Sequence, residues 1–253
     1  MFIDTHLHLE KRWLKDDTNR QFAIDDINKN KIITWAVTSD IQSYKETIEY
    51  AKQSKYIFAS FGVLPWYAHE YVDRFDEIAK LCEEAIMLGE IGLDEKYAKD
   101  KACIPHQKPM FEIFLKEAEK NNKIMNLHFR GKERESFEII KSYKIKKPIF
   151  HGYSGEIDLM KEINDLGYYY SIGRRYNEEK LLEIPDDLLL LEIDVLPTED
   201  FKVPSEVFSD MLERYAKVRN ITLEELEAIN QKNVLRLIGD DPNLNEMKKL
   251  IQG

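Results

Sequence analysis

Cysteine is nearly absent from this chain: Cys82 and Cys103 are its only two in 253 residues. They can make one bridge at most, which cannot staple a fold of this size. Stability must come from a packed core, and a reducing compartment is the natural setting. No apolar run is long enough to span a bilayer, and the opening MFIDTHLHLE is no signal peptide. A soluble, cytoplasmic protein without membrane contact is therefore expected. A basic excess is missing too. The 37 Lys and Arg are outnumbered by 47 Asp and Glu, a net charge of -10. That weighs against tight, non-specific binding to nucleic acid, where phosphate contacts dominate, though it leaves room for a local basic patch. Repeats, low-complexity segments and linkers are also lacking, so residues 1–253 read as one domain.

What the chain does have is eight apolar, β-branched or aromatic segments with helical patterns between them. Strands are expected near residues 2–8, 32–39, 56–63, 85–92, 123–129, 147–153, 168–173 and 188–195. Near-continuous apolar runs suit parallel strands buried on both faces. In HQKPMFEIFLKEAEKNN, Phe111, Phe114, Leu115 and Ala118 form one helical stripe. Thr222 and Glu225 have the spacing of a capping box. Glycines 62, 89, 92, 152, 155 and 173 mark sharp turns at or near strand ends, and residues 197–206 read as a loop. Strands alternating with helices imply a parallel sheet, and eight of them point to a closed (β/α)₈ barrel.

Six residues carry the chemistry. His6, His8, Glu90, His128, His151 and Asp194 fall at the ends of strand-like segments. Imidazole nitrogens and carboxylate oxygens are the donors that divalent cations take. An open sheet would hold its outer strands apart, whereas a closed barrel gathers all these ends around one mouth. His6 and His8 are two apart and share a strand face. Asp4 shares it one layer deeper and is expected to hold the far nitrogen of a ligating histidine, with Glu192 repeating the arrangement beside Asp194. A barrel interior normally takes Val, Ile and Leu, so converging polar groups need a purpose. A metal-dependent hydrolase is the leading reading.

The motifs and their order resemble the amidohydrolase superfamily, and within it the TatD family of metal-dependent DNases. FIDTHLHL is similar to that family's opening, GEIGLD to its most distinctive motif, and LHFRG, HGYSG and LEIDVLP to its later segments; NVLRLIG resembles its close. The resemblance covers residues 2 to about 238. It implies two divalent metal ions (Zn, Mn or Mg), one on His6, His8 and Asp194 and one on His128 and His151, with Glu90 bridging. It implies a phosphodiesterase or deoxyribonuclease acting on DNA or oligonucleotide ends, with Asp194 as the base and Glu90 also in the catalytic centre. Arg130 has the parity of His128, and either clamps substrate phosphate or pairs with Asp94. Two further functions fit the same donors: hydrolysis of a small ester, lactone or amide, and a metal-binding barrel without catalysis.

The chain departs from the family at one telling place. In GVLPWYAHE, Leu64 stands where the family carries a substrate-contacting histidine, which favours a small neutral substrate. His69, five residues on, is expected on a solvent-exposed loop, with a reach into the site from that loop as the alternative. Trp13 and Trp66 are expected in core or rim, and Cys82 and Cys103 as inert packing.

Overall fold

Every apolar segment forms a strand, and a helix follows each one before the next. The computed structural model describes residues 1–253. The strands are β1 (Ile3–Leu7), β2 (Ile33–Ala36), β3 (Ile57–Ala59), β4 (Leu88–Asp94), β5 (Met125–Arg130), β6 (Pro148–His151), β7 (Tyr169–Ile172) and β8 (Leu189–Leu191). All neighbours run parallel, in a run β1-β2-β3 and a run β4-β5-β6-β7-β8. Two bridges join these runs, Phe61 to Leu88 and Leu7 to Asp194. At the first, the Phe61 N–H donates to Met87 O (3.0 Å) and the Gly89 N–H to Phe61 O (2.7 Å). At the second, the His8 N–H donates to Asp194 O (2.9 Å) and the Asp194 N–H to His6 O (2.8 Å). The strands thus make a ring, the expected (β/α)₈ barrel, with helices outside it.

The seam between β1 and β8 is reinforced by side chains. Asp4 Oδ1 accepts from the Ile193 N–H and the His6 N–H, both at 3.1 Å. The Thr5 hydroxyl donates to Leu191 O at 3.0 Å. Asp4 therefore secures backbone and does not hold a histidine ring, contrary to expectation. Regular β8 pairing stops at Leu191; further on, Asp194 has φ +68°, in the left-handed region that aspartate tolerates better than most residues.

Two glycines let the chain pass close to Glu90. A Cβ at Gly62 would lie 2.2 Å from Glu90 N, and one at Gly92, where φ is +152°, 2.1 Å from His128 O. No side chain fits at either place. The helix Ile104–Asn121 buries the expected stripe of Phe111, Phe114, Leu115 and Ala118. Thr222 caps Leu223–Ile238 through the reciprocal pair with Glu225. The expected loop 197–206 is shorter than the sequence suggested, because Pro204 opens the helix Pro204–Arg219, where its fixed φ suits the first turn. Both cysteines are buried and free. No helix is long and apolar enough to cross a membrane.

Candidate metal centre

The barrel brings the six candidate residues to one end, around the carboxylate of Glu90. Its Oε2 lies 2.9 Å from His8 Nε2 and 3.7 Å from His6 Nε2. Its Oε1 is hydrogen-bonded to His128 Nδ1 and lies 3.5 Å from His151 Nε2. Asp194 Oδ1 is 3.8 Å from His6 Nε2 and 4.0 Å from His8 Nε2. The His6 and His151 rings stack with centroids 3.8 Å apart. Five of the six residues are buried; the Asp194 side chain is 40% exposed and opens into the mouth.

Each imidazole has one nitrogen turned to this cluster and the other tied to the protein. His6 Nδ1 lies 2.9 Å from Asn126 Oδ1. Asn126 spends its own N–H on Thr5 O, so its oxygen faces the ring and His6 Nδ1 must donate. That leaves the Nε2 lone pair of His6 buried with no partner. His151 Nδ1 is held by Glu192 at 2.7 Å, and Arg130 Nη2 donates to Nε2 at 3.2 Å, so that nitrogen carries a lone pair, which Arg130 engages. His8 Nδ1 is held by Glu10 (2.9 Å) and His128 Nε2 by Asp94 (3.0 Å). Outer partners of this kind fix tautomer and aim in metal-ligating histidines.

The electrostatics divide the four rings into two pairs. Burial, helped by His151, pushes His6 down to about 3. Burial likewise takes His151 down to about 4 against the pull of Glu90. Both are neutral bases near pH 7, as a ligand must be. Burial opposes charge on His8 and His128 as well, but the carboxylates of Glu10, Glu90 and Asp94 outweigh it and raise both rings. Glu90 is buried, yet His128, His6 and His8 hold it well below the usual carboxylate range. Cation binding would replace protons on His8 and His128.

The donor set fits a divalent cation. His6, His8 and Glu90 offer atoms within 4.8 Å of one another, as do Glu90, His128 and His151. A buried, unpartnered Nε2 beside two carboxylates is otherwise costly, and a cation would satisfy it.

The cluster forms the floor of a cavity of about 710 Å³ walled by Arg12, Trp13, Trp66, Tyr67, His69 and Arg130, among others. Several expectations are corrected here. Arg130 makes no pair with Asp94; it donates to Phe129 O (3.0 Å) and His151 O (3.3 Å). Asp94 instead accepts from Trp66 Nε1 (2.6 Å) and the Tyr97 N–H (2.7 Å) besides holding His128, so it orients the site and its carboxylate does not line the cavity. His69 is not a loose surface residue: it lies in the short helix Pro65–Tyr71, half-buried on the cavity wall, 3.5 Å from Asp100. Leu64 is fully buried and does not line the cavity. Sequence reasoning missed Glu10 and Asn126 as ring holders. Glu10 lies past the end of β1 and Asn126 holds a histidine of a different strand, so strand parity does not reveal either.

A parallel barrel with four aimed imidazoles and two carboxylates at its C-terminal mouth defines a metal-dependent hydrolase. The family model described as TatD related DNase matches residues 3–239, and the chain belongs to that family. A metal-dependent hydrolase of uncharacterised activity from Methanocaldococcus jannaschii is 28% identical over 93% of this chain and 96% of its own. The deoxyribonuclease Tat-D of Schizosaccharomyces pombe is 27% identical over 62% of this chain and 57% of its own. Among solved structures, a TatD homologue from Escherichia coli K12 superposes with a TM-score of 0.80 at 18% identity, over 93% of this chain and 97% of that one.

Proposed function

We propose that this protein hydrolyses phosphodiester bonds in DNA or short oligonucleotides, as a single barrel domain loaded with two divalent cations. His6, His8 and Asp194 would hold one cation and His128 and His151 the other, with Glu90 between them. The observation that carries this reading is the division of Glu90: one oxygen faces His6 and His8, and the other faces His128 and His151. When bound, such a pair of ions polarises a phosphoryl oxygen and makes bound water acidic. The chain supplies the rest. Asp194, half-exposed at the edge of the cluster, takes the proton from attacking water. Arg130, at the cavity wall, offers its remaining N–H groups to a phosphate oxygen. Trp13 and Trp66 wall the cavity and limit access of bulk water.

Packing supports a phosphodiester over a small neutral ester. Leu64 is the main argument for the latter, yet its side chain is buried away from the cavity. The test is to strip the protein with a chelator and reload it with Zn²⁺, Mn²⁺ or Mg²⁺ in turn. Single-stranded oligodeoxynucleotides, a generic phosphodiester and a lactone panel then serve as substrates. Cleavage of the oligonucleotide is expected, and Asp194→Asn should lower its kcat about 10²–10⁴-fold with the fold intact. Fast lactone turnover without oligonucleotide cleavage would replace this reading with the small-ester one. No turnover of any substrate at full metal occupancy would leave a binding barrel.

A further inference from the structure

Most arginines in this chain are neutralised by a neighbour. Of ten, seven have a carboxylate oxygen within 4.0 Å. The three that do not are Arg130, Arg174 and Arg175, and all three line one cavity of about 390 Å³. In a protein of net charge -10, with carboxylates in surplus, leaving these three unpaired in one place is conspicuous. This cavity adjoins the main one: Tyr97, Arg130, His151, Asp194 and Val195 line both.

The two new arginines sit on a braced turn. Gly173 follows β7, and the Tyr176 N–H returns to Gly173 O at 2.9 Å, leaving Arg174 and Arg175 at the tip. Tyr215 clamps the base, its hydroxyl accepting from the Tyr176 N–H (3.0 Å) and donating to Gly173 O. Arg214 adds bonds to Arg174 O (2.9 Å) and Tyr176 O (3.3 Å), and is itself neutralised by Glu178. The backbone of the turn is thus fixed, while the side chains of Arg174 and Arg175 are engaged by no carboxylate. Glu192 and Asp194 also line the cavity but approach none of the three arginines within ion-pair distance; Glu192 is spent on His151. Burial and the charge of Arg175 hold Arg174 below the usual guanidinium range, so the turn is a place where like charges crowd. An anion relieves that crowding, and guanidinium forks match phosphate.

We infer that Arg174 and Arg175, with Arg130, form a second phosphate subsite that holds the phosphate next to the scissile one in a nucleic-acid strand. The inference rests on the nuclease reading of the adjoining centre and narrows it: the substrate carries successive phosphates, so a strand is preferred over a single diester. The rigid turn lowers the ordering cost of gripping it.

The test compares Arg174→Gln/Arg175→Gln with the parent, both metal-loaded, and with a charge-matched control, Lys52→Gln/Lys249→Gln, at exposed positions. The probe is a fluorescent single-stranded phosphorothioate tetranucleotide that resists cleavage, followed by anisotropy across a salt series. The arginine variant should bind about tenfold or more weakly at low salt. Its slope of log K against log salt should flatten by about 0.7 for each phosphate of the single strand that it no longer grips. Neutralising one phosphate of the probe with a methylphosphonate should weaken the parent by a similar factor and the variant much less, since the two changes delete one interaction. A variant no weaker than the control, or equally sensitive to the methylphosphonate, overturns the subsite. The binding comparison needs no turnover. If the metal-loaded parent cleaves no oligonucleotide, the proposed function fails, and the subsite still stands or falls on its own data.

Discussion

An imidazole meets a cation with one nitrogen only when its other nitrogen is kept occupied, and for His6 that task belongs to Asn126. Asn126→Ala should leave the ring free to turn and change tautomer. Metal affinity should drop about 10–100-fold, read by competition with a chromophoric chelator. An unchanged affinity would mean that packing against His151 alone aims the ring. The same histidine gives a pH prediction. Its folded value is about 3 against an ordinary 6.5, so below pH 6.5 the unfolded chain takes up a proton that the folded one refuses. Its contribution to stability is therefore present above 6.5 and is lost as pH falls toward 3. Metal-free parent protein should lose urea resistance relative to His6→Gln across that window. Parallel curves would show that His6 is charged in the fold. At this scale the sequence was legible where chemistry repeats at strand spacing. All six candidate residues come together at one end of the barrel, but the partners of His8 and His6 were not foreseen. Glu10 lies just past the end of β1, and Asn126 reaches His6 across the barrel; no local pattern announces such an approach.

Strands place the donors, and glycines place the strands. Gly92→Ala would drive a methyl group against the carbonyl of His128, between the strands that carry Glu90 and His128. The expected cost is about 1–3 kcal/mol or more in urea unfolding, with fewer cations held per chain. Leu64→His is a second test at this scale. Because Leu64 is buried outside the cavity, the change should not improve nuclease activity. It should destabilise by about 1–3 kcal/mol by burying a polar ring without a partner. A gain in oligonucleotide turnover would show that position 64 reaches substrate after all. Element identity was readable throughout, because apolar runs and helical stripes are local properties. Element ends were not. β3 was expected over residues 56–63 but is regular only at Ile57–Ala59, and Phe61 beyond it pairs singly with Leu88. β8 is regular only to Leu191, and Asp194 beyond it pairs singly with Leu7.

For the molecule as a whole, bound cations should act as ligands of the folded state only. A single site at a hundredfold excess over Kd adds about 2.7 kcal/mol, so the melting temperature should rise with free metal and fall on chelation. A melting temperature indifferent to metal would argue against a site made by folding. Whole-barrel architecture was legible because eight segments of one type, in alternation with helices, leave few topologies. Its closure has a temporal side. The Leu7–Asp194 bridge sets a donor from the first strand beside one delivered after the last. During synthesis the amino-terminal histidines emerge early and Glu90 follows on the fourth strand, but Asp194 comes only once all eight strands are made. A ribosome stalled before that point would hold a nearly complete barrel that cannot yet retain a cation tightly. The centre would then be acquired late, as the final stitch of assembly, and a chain cut short would be inert before it had done any chemistry.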